Sequence, residues 1–245
     1  MHNFKLTIQY DGSRYKGWQR LGNADNTLQG KIEQVLSKMT GEEIEIIGSG
    51  RTDVGVHALG QVANFKTSSP RRVAEIQQYL YQYLPEDIVV TDIKEVDERF
   101  HARYHALAKQ YTYKIWNAPY HNPFLRKYVE HIPEPLDLAA MRLATSYLLG
   151  QHDFSAFVSS RSKKKSNVRE LHSIDITKEE CLVGLTFQGN GFLHNMVRII
   201  TGTLLEVGLG RMKPTRLKEI LEKGDRNLAG PTAAAKGLHL VKVYY

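Results

Sequence analysis

The most unusual stretch of the chain is the glycine-rich segment GSGRTDVGVHALGQ at residues 48–61. It carries a carboxylate, Asp53, and an imidazole, His57, two groups that can serve as nucleophile or general base. Glycines allow positive φ angles and a close approach of a ligand to the main chain. The segment is not a phosphate-binding P-loop, because Gly-Lys-Ser/Thr is missing. It also lacks the third glycine of a dinucleotide-binding fingerprint.

A structural interpretation of the same two residues stands beside the catalytic one. An aspartate next to glycine commonly hydrogen-bonds its own turn. A single loop histidine commonly does no more than form hydrogen bonds. The residue types alone leave both interpretations open for Asp53 and His57.

The net charge of the chain is evidence on the class of its binding partner. The 245 residues include 33 Lys+Arg and 26 Asp+Glu, a net charge of +7. This excess favours a polyanionic partner, nucleic acid before membrane, although a solvated basic surface would give the same number.

Other classes of protein are excluded by what the chain lacks. Its single cysteine, Cys181, rules out an intrachain disulfide and a cysteine-rich zinc site. Cys181 shares the alternation of Val183, Leu185 and Phe187, which predicts a buried strand residue. The sequence has no run of about 18 apolar residues and no apolar N-terminal core, so we predict a cytoplasmic protein without a membrane span.

The elements that position the glycine-rich segment follow from periodicity. The first half predicts, in order, a strand at 4–10, a helix from Leu28 to Met39, strands at 42–47 and 62–65, a helix capped at Ser69-Pro70, and a strand at 88–96. The second half predicts a strand at 108–117, a connection at 117–135, a helix from Asp137 to near Gly150, strands at 168–176 and 181–188, a helix at 192–207, another from Pro214, and a strand at 237–245. We therefore expect two mixed domains, 1–105 and 106–245.

Five segments carry a resemblance to a known family. The run GSGRTDVGVHALGQVANF at 48–65 resembles the signature of the tRNA pseudouridine synthase A family. Supporting segments follow in the family's order and cover nearly the whole chain, at residues 4–20, 100–115, 152–157 and 189–208. Chance would have to reproduce several independent segments, so the resemblance is specific.

The resemblance implies an isomerase that converts uridine to pseudouridine within tRNA, with Asp53 as the catalytic residue. The C1′–N1 bond breaks, the uracil rotates, and C5 joins C1′. No cofactor or metal is implied. Whether Asp53 attacks the sugar or removes a sugar proton to give a glycal stays open.

The resemblance also implies a set of substrate-contacting residues. Arg198 corresponds to an arginine that pairs with the catalytic aspartate, and Arg51 to one associated with RNA and base flipping. Tyr111 would stack on the flipped base and Leu238 would pack against the uracil. By spacing alone, Tyr113 is equivalent to Tyr111. Arg198 is equally compatible with a surface helix, and Leu238 with a core.

A Ser/Lys-rich stretch is the candidate RNA-binding segment, because family enzymes carry a flexible basic loop here. Its cations are Arg161, Lys163, Lys164, Lys165 and Arg169. Such a charge run is equally compatible with a merely solvated surface.

The implied fold class is α+β, with two related domains of mainly antiparallel sheet and RRM/ferredoxin-like halves flanking a central cleft. Asp53 would come from the first domain, Tyr111 and Arg198 from the second. The implied assembly is a homodimer whose two subunits both contact tRNA, acting on uridines 38, 39 and 40. The alternatives are a non-catalytic RNA-binding protein or tRNA chaperone, and a carboxylate-dependent hydrolase that releases uracil.

Overall fold

The computed structural model describes residues 1–20, 22, 26–159 and 166–245. They form two units, one of residues 1–107 with 240–245 and one of residues 108–239. Within the described ranges, no helix combines the length and the apolar character that crossing a bilayer requires.

The first unit is built on an antiparallel sheet with its first strand in the middle. Its strands are β1 (His2–Tyr10), β2 (Ile46–Gly48), β3 (His57–Thr67) and β4 (Ile88–Val96), and its helices are α1 (Leu28–Thr40) and α2 (Val73–Tyr83). Strand β1 pairs with β3 on one side and β4 on the other, and β2 pairs with β3. The alternating residues Phe4, Leu6 and Ile8 are fully buried, as the period-two pattern predicts.

The second unit has a sheet in the order β5-β9-β8-β7 with antiparallel pairing, and β6 runs parallel to β5. Its elements are β5 (Ala108–Asn117), β6 (Glu130–Ile132), α3 (Leu138–Ser146), β7 (Gly150–Asp153), β8 (Val168–Glu179), β9 (Leu182–Gly189), α4 (Met196–Gly208) and α5 (Arg216–Lys223). Strand β10 (Leu238–Tyr244) has its first two residues in this unit and the rest in the first. The predicted α+β class with mainly antiparallel sheets is confirmed.

Helix α4 is the central helix of the second unit. Eleven of its residues are buried, which leaves it apolar on nearly every side, and it packs on β5 and α3. A helix enclosed in this way holds its few polar side chains in fixed positions.

Several predicted boundaries of the first unit are wrong for identifiable reasons. The strand predicted at 42–47 begins only at Ile46 and ends at Gly48, because Ile44 donates its N–H group to Ser37 of α1 and not to a strand partner. The predicted loop ends early, since β3 already begins at His57. Helix α2 starts at Val73, where Glu75 accepts from the main chain of Arg72, and not at Ser69-Pro70.

In the second unit the corrections concern helix ends and one core residue. The connection at 117–135 contains strand β6. Helix α3 ends at Ser146, where the last N–H groups bond three residues back, and α4 begins at Met196. Cys181 is half-buried in the turn between β8 and β9, so the prediction of a buried strand residue is wrong.

Candidate active site

Asp53 lies in the connection between β2 and β3, and its side chain is half-buried. The main-chain carbonyl of Asp53 accepts from Val56 at 3.2 Å, which closes a turn through Gly55. The carboxylate therefore sits at a tight turn between two paired strands, and not on a long excursion of the chain.

The residue before Asp53 is anchored from strand β1 and the segment that follows it. The Trp18 N–H donates to the Thr52 carbonyl at 3.0 Å, and the hydroxyls of Tyr10 and Thr52 are 2.8 Å apart. Gly17 has φ +85, and a Cβ there would lie 2.9 Å from the Thr52 oxygen. We did not predict that Tyr10, Gly17 and Trp18 hold the aspartate, although the segment 4–20 was itself part of the resemblance.

The residues on the N-terminal side of the turn are held by a buried glutamine. The amide nitrogen of Gln61 donates to the Gly50 carbonyl at 3.0 Å, and its oxygen accepts from the Ser49 hydroxyl at 2.7 Å. Between these anchors Arg51 is exposed, with Nε donating to the Gln19 side chain at 2.8 Å. The exposed guanidinium is accessible to a large ligand such as RNA.

His57 belongs to strand β3 and is 2% exposed. Its Nδ1 accepts from the Gly12 N–H at 3.1 Å and lies 3.2 Å from a carboxylate oxygen of Asp11. A nitrogen that accepts a main-chain N–H cannot also take a proton from a substrate, so the geometry at Nδ1 favours the hydrogen-bonding interpretation.

Arg198 lies in the first turn of α4 and is half-buried. Its Nε donates to the Ala233 carbonyl at 2.7 Å, and its Nη1 donates to Oδ1 of Asn195 at 2.8 Å. The adjacent Val197 and Ile199 are buried. These contacts argue against the alternative of an exposed arginine on a surface helix.

Tyr111 and Tyr113, equivalent by spacing, occupy different environments on the buried face of β5. The Tyr113 ring is fully buried, and its hydroxyl donates to the Ala234 carbonyl at 2.9 Å, with Glu130 at 3.3 Å. Burial, reinforced by Glu130, raises the pKa of Tyr113, while the charge of Arg198 opposes this shift. A Cβ on Gly237 would lie 2.6 Å from the Tyr113 ring. The Tyr113 side chain therefore has a structural role.

Tyr111 lies two residues before Tyr113 on the same face of β5 and is less enclosed. Its ring is 8% exposed and packs edge-on against Phe192, with centroids 5.1 Å apart. Of the two tyrosines, Tyr111 is therefore the less completely enclosed.

We expect Tyr113→Phe to lower the free energy of unfolding by about 1 kcal/mol, because the Ala234 carbonyl loses its donor. Thermal or denaturant unfolding measures the loss. Tyr120→Phe, at a residue that is 85% exposed, is the matched control and should leave stability unchanged. Equal stability of both variants would contradict a structural role for the Tyr113 hydroxyl.

The segment 233–238 contacts the candidate side chains of the second unit. Ala233 accepts from Arg198 and Ala234 from Tyr113, so consecutive carbonyls hold the helix and the strand. The segment ends at Leu238, which begins β10 and is 6% exposed. These two bonds join residues 35 and 121 positions apart, and we did not predict them from the sequence.

The predicted RNA-binding cations are only partly within the described residues. Arg169 is half-buried, and its Nη1 donates to the carbonyls of Ser166 and Val168 at 3.0 and 2.6 Å. Burial lowers the pKa of Arg169. The other predicted cations, Arg161, Lys163, Lys164 and Lys165, lie outside the described residues.

The candidate residues divide between the units. Arg51 and Asp53 share one connection in the first unit. In the second unit, α4 packs on β5, which brings together the elements that carry Arg198 and Tyr111.

Comparison with known proteins identifies the family. A family model described as tRNA pseudouridine synthase matches residues 6–105 and 144–245. The chain is 54% identical to a protein named tRNA pseudouridine synthase A 2 from Bacillus cereus, over the full length of both. It is 56% identical to tRNA pseudouridine synthase A of a Bacillus species over 98% of each chain, and 47% identical to that of Acetivibrio thermocellus over both full lengths. The chain therefore belongs to the tRNA pseudouridine synthase family.

Proposed function

We infer that this chain is an isomerase that converts uridine to pseudouridine in tRNA. The observation that carries the inference is the match, over the full length at 54% identity, to a relative named tRNA pseudouridine synthase A 2. The match includes the turn at residues 49–56, where Asp53 is held by contacts on both sides.

We propose that Asp53 is the catalytic residue. The reaction breaks the C1′–N1 bond and forms a C5–C1′ bond, so nothing is oxidised and the product has the mass of the substrate. An ionised carboxylate can attack C1′, or it can remove a sugar proton to give a glycal. Both routes need a negative charge at a fixed position, and the main-chain anchors of Thr52 and Asp53 support such a position.

The other candidate residues are proposed to bind the substrate. Arg198 would pair with the catalytic carboxylate, Tyr111 would stack on the flipped uracil, and Leu238 would pack against it. Stacking of a base on an aromatic ring is worth about 1–3 kcal/mol, enough to offset much of the cost of unstacking the target. Arg51, exposed beside Asp53, is proposed to contact RNA during base flipping.

We further propose that the enzyme acts as a cytoplasmic homodimer, with tRNA contacting both subunits, on uridines 38, 39 and 40 of the anticodon stem-loop. One site that serves several neighbouring positions has to recognise the shape and backbone of the RNA more than individual base edges.

The decisive experiment maps pseudouridine in tRNA that has been incubated with the purified protein. The proposal expects new pseudouridine at positions 38–40 and no change in the mass of the tRNA. Free uracil would indicate a hydrolase instead. Bound but unmodified tRNA would indicate a non-catalytic RNA-binding protein or chaperone.

Replacing Lys163, Lys164 and Lys165 together by alanine is expected to weaken tRNA binding and to flatten its salt dependence. Each lost phosphate contact should reduce the slope of log K against log salt by about 0.7–0.9. A matched variant replaces three exposed strand lysines, Lys66, Lys94 and Lys178, and should change the slope less. An unchanged slope in the first variant would place these lysines away from the RNA.

A further inference from the structure

Asn195 precedes helix α4 and does not perform the usual task of an asparagine at that position. An N-cap asparagine normally accepts a hydrogen bond from the second or third N–H group of its helix. The Asn195 side chain makes no such bond, and its backbone is left-handed, with φ 60 and ψ 7. Its Oδ1 instead accepts from Nη1 of Arg198 at 2.8 Å.

The other end of the same amide is held as well. Nδ2 of Asn195 donates to the Ser159 hydroxyl at 2.9 Å, and that hydroxyl lies 2.8 Å from Nδ1 of His194. The orientation of the amide follows from these partners. A guanidinium only donates, so the oxygen must face Arg198, and the nitrogen then faces the hydroxyl.

These contacts determine the orientation of the Arg198 guanidinium. The group is planar, and two of its nitrogens are bound in different directions, Nε to the Ala233 carbonyl and Nη1 to Asn195. A planar fork held at two nitrogens cannot rotate about its terminal bonds. The direction of its remaining N–H groups is therefore set by Ala233 on one side and by Asn195 on the other.

We propose that Asn195, steadied by Ser159, is a positioning residue that sets the orientation of Arg198 for the reaction. The proposal rests on the proposed function, in which Arg198 belongs to the catalytic machinery. A purely structural explanation would be that Asn195 is present only because asparagine tolerates a left-handed backbone.

Asn195→Gly separates the two explanations. Glycine adopts a positive φ without strain, so the variant keeps the backbone conformation and removes only the amide. We expect unchanged thermal unfolding and an unchanged Kd for tRNA, with a single-turnover rate of pseudouridine formation that falls at least about tenfold. Ser159→Ala, which leaves the Asn195–Arg198 bond in place, should cost less, about two- to threefold.

The matched control is Glu180→Gly. Glu180 is the other non-glycine residue with a positive φ among the described ranges, at 52, in the turn between β8 and β9. The Glu180→Gly variant relieves the same kind of backbone strain at a position with no proposed catalytic role. The control should leave the rate unchanged.

A double-mutant cycle tests whether Asn195 acts through Arg198. In an Arg198→Ala background, Asn195→Gly should cause no further loss, because the group that it orients is already gone. A wild-type rate in Asn195→Gly, or the same loss in both backgrounds, would overturn the proposal. Wild-type protein is assayed beside the variants. If the proposed function is wrong, neither the wild-type protein nor any variant will form pseudouridine, and this result differs from both outcomes above.

Discussion

Asp53→Asn is expected to abolish pseudouridine formation, lowering the single-turnover rate by at least about a thousandfold. The amide is nearly the same size as the carboxylate but has no charge. It cannot attack C1′, accept a sugar proton or stabilise a positive sugar carbon. Since the turn is held mainly through the main chain of Thr52 and Asp53, folding and tRNA binding should persist. Rate and Kd are measured separately, by pseudouridine mapping and by a binding titration.

The matched control for this variant is Asp97→Asn. The Asp97 carboxylate accepts from the Arg99 N–H at 2.8 Å, which is the local turn role proposed as the alternative for Asp53. Asparagine can keep that bond, so the control should retain full activity. Substantial turnover by Asp53→Asn would remove Asp53 from the chemistry and return it to a turn residue.

Arg198→Ala is expected to reduce the rate by about a hundredfold or more, with a much smaller effect on the Kd for tRNA. The variant removes a positive charge proposed to face the catalytic carboxylate, and it also removes the donors to Ala233 and Asn195. Arg198→Lys should restore little, because a single ammonium cannot reproduce a planar fork with donors in two directions.

Loss of a structural hydrogen bond could also lower activity, and Arg142→Ala controls for it. Arg142, in the same unit, donates from Nη2 to the Ile176 carbonyl at 2.9 Å. If both variants lose similar stability but only Arg198→Ala loses activity, the effect is catalytic. Wild-type rates in Arg198→Ala would show that the proposed pairing is wrong.

The regular elements were predictable wherever a strand or helix has a single buried face. Strands β4 and β5 have the bounds expected from their alternation, and helix α1 ends at Thr40, one residue beyond the predicted Met39. The prediction failed at 42–45, where Ser37 of α1 takes the Ile44 N–H that a strand partner would have bound. Such competition from distant side chains leaves no periodic signal.

The candidate site likewise combines features that the sequence predicts with features that only the structure shows. Asp53, Tyr111 and Arg198 were found through the resemblance, because several segments of the sequence match one family. Spacing does not distinguish Tyr111 from Tyr113, whereas the tertiary contacts show that Tyr113 is the more enclosed of the two. The Tyr113 hydroxyl is bound to a carbonyl 121 positions away, and Gly237 covers its ring.

The sequence by itself determined the family and the α+β class, and it supplied Asp53 as the proposed catalytic residue, since several short segments along the chain match one family. The tertiary structure alone decided how Arg198 is oriented, which of the two tyrosines is fully enclosed, and which residues hold the turn at Asp53. These features depend on hydrogen bonds that Arg198 donates to Ala233 and Asn195 and that Trp18 donates to Thr52. Their geometry exists only once the chain has folded, because the Arg198–Ala233 and Trp18–Thr52 bonds each need two segments brought together by packing.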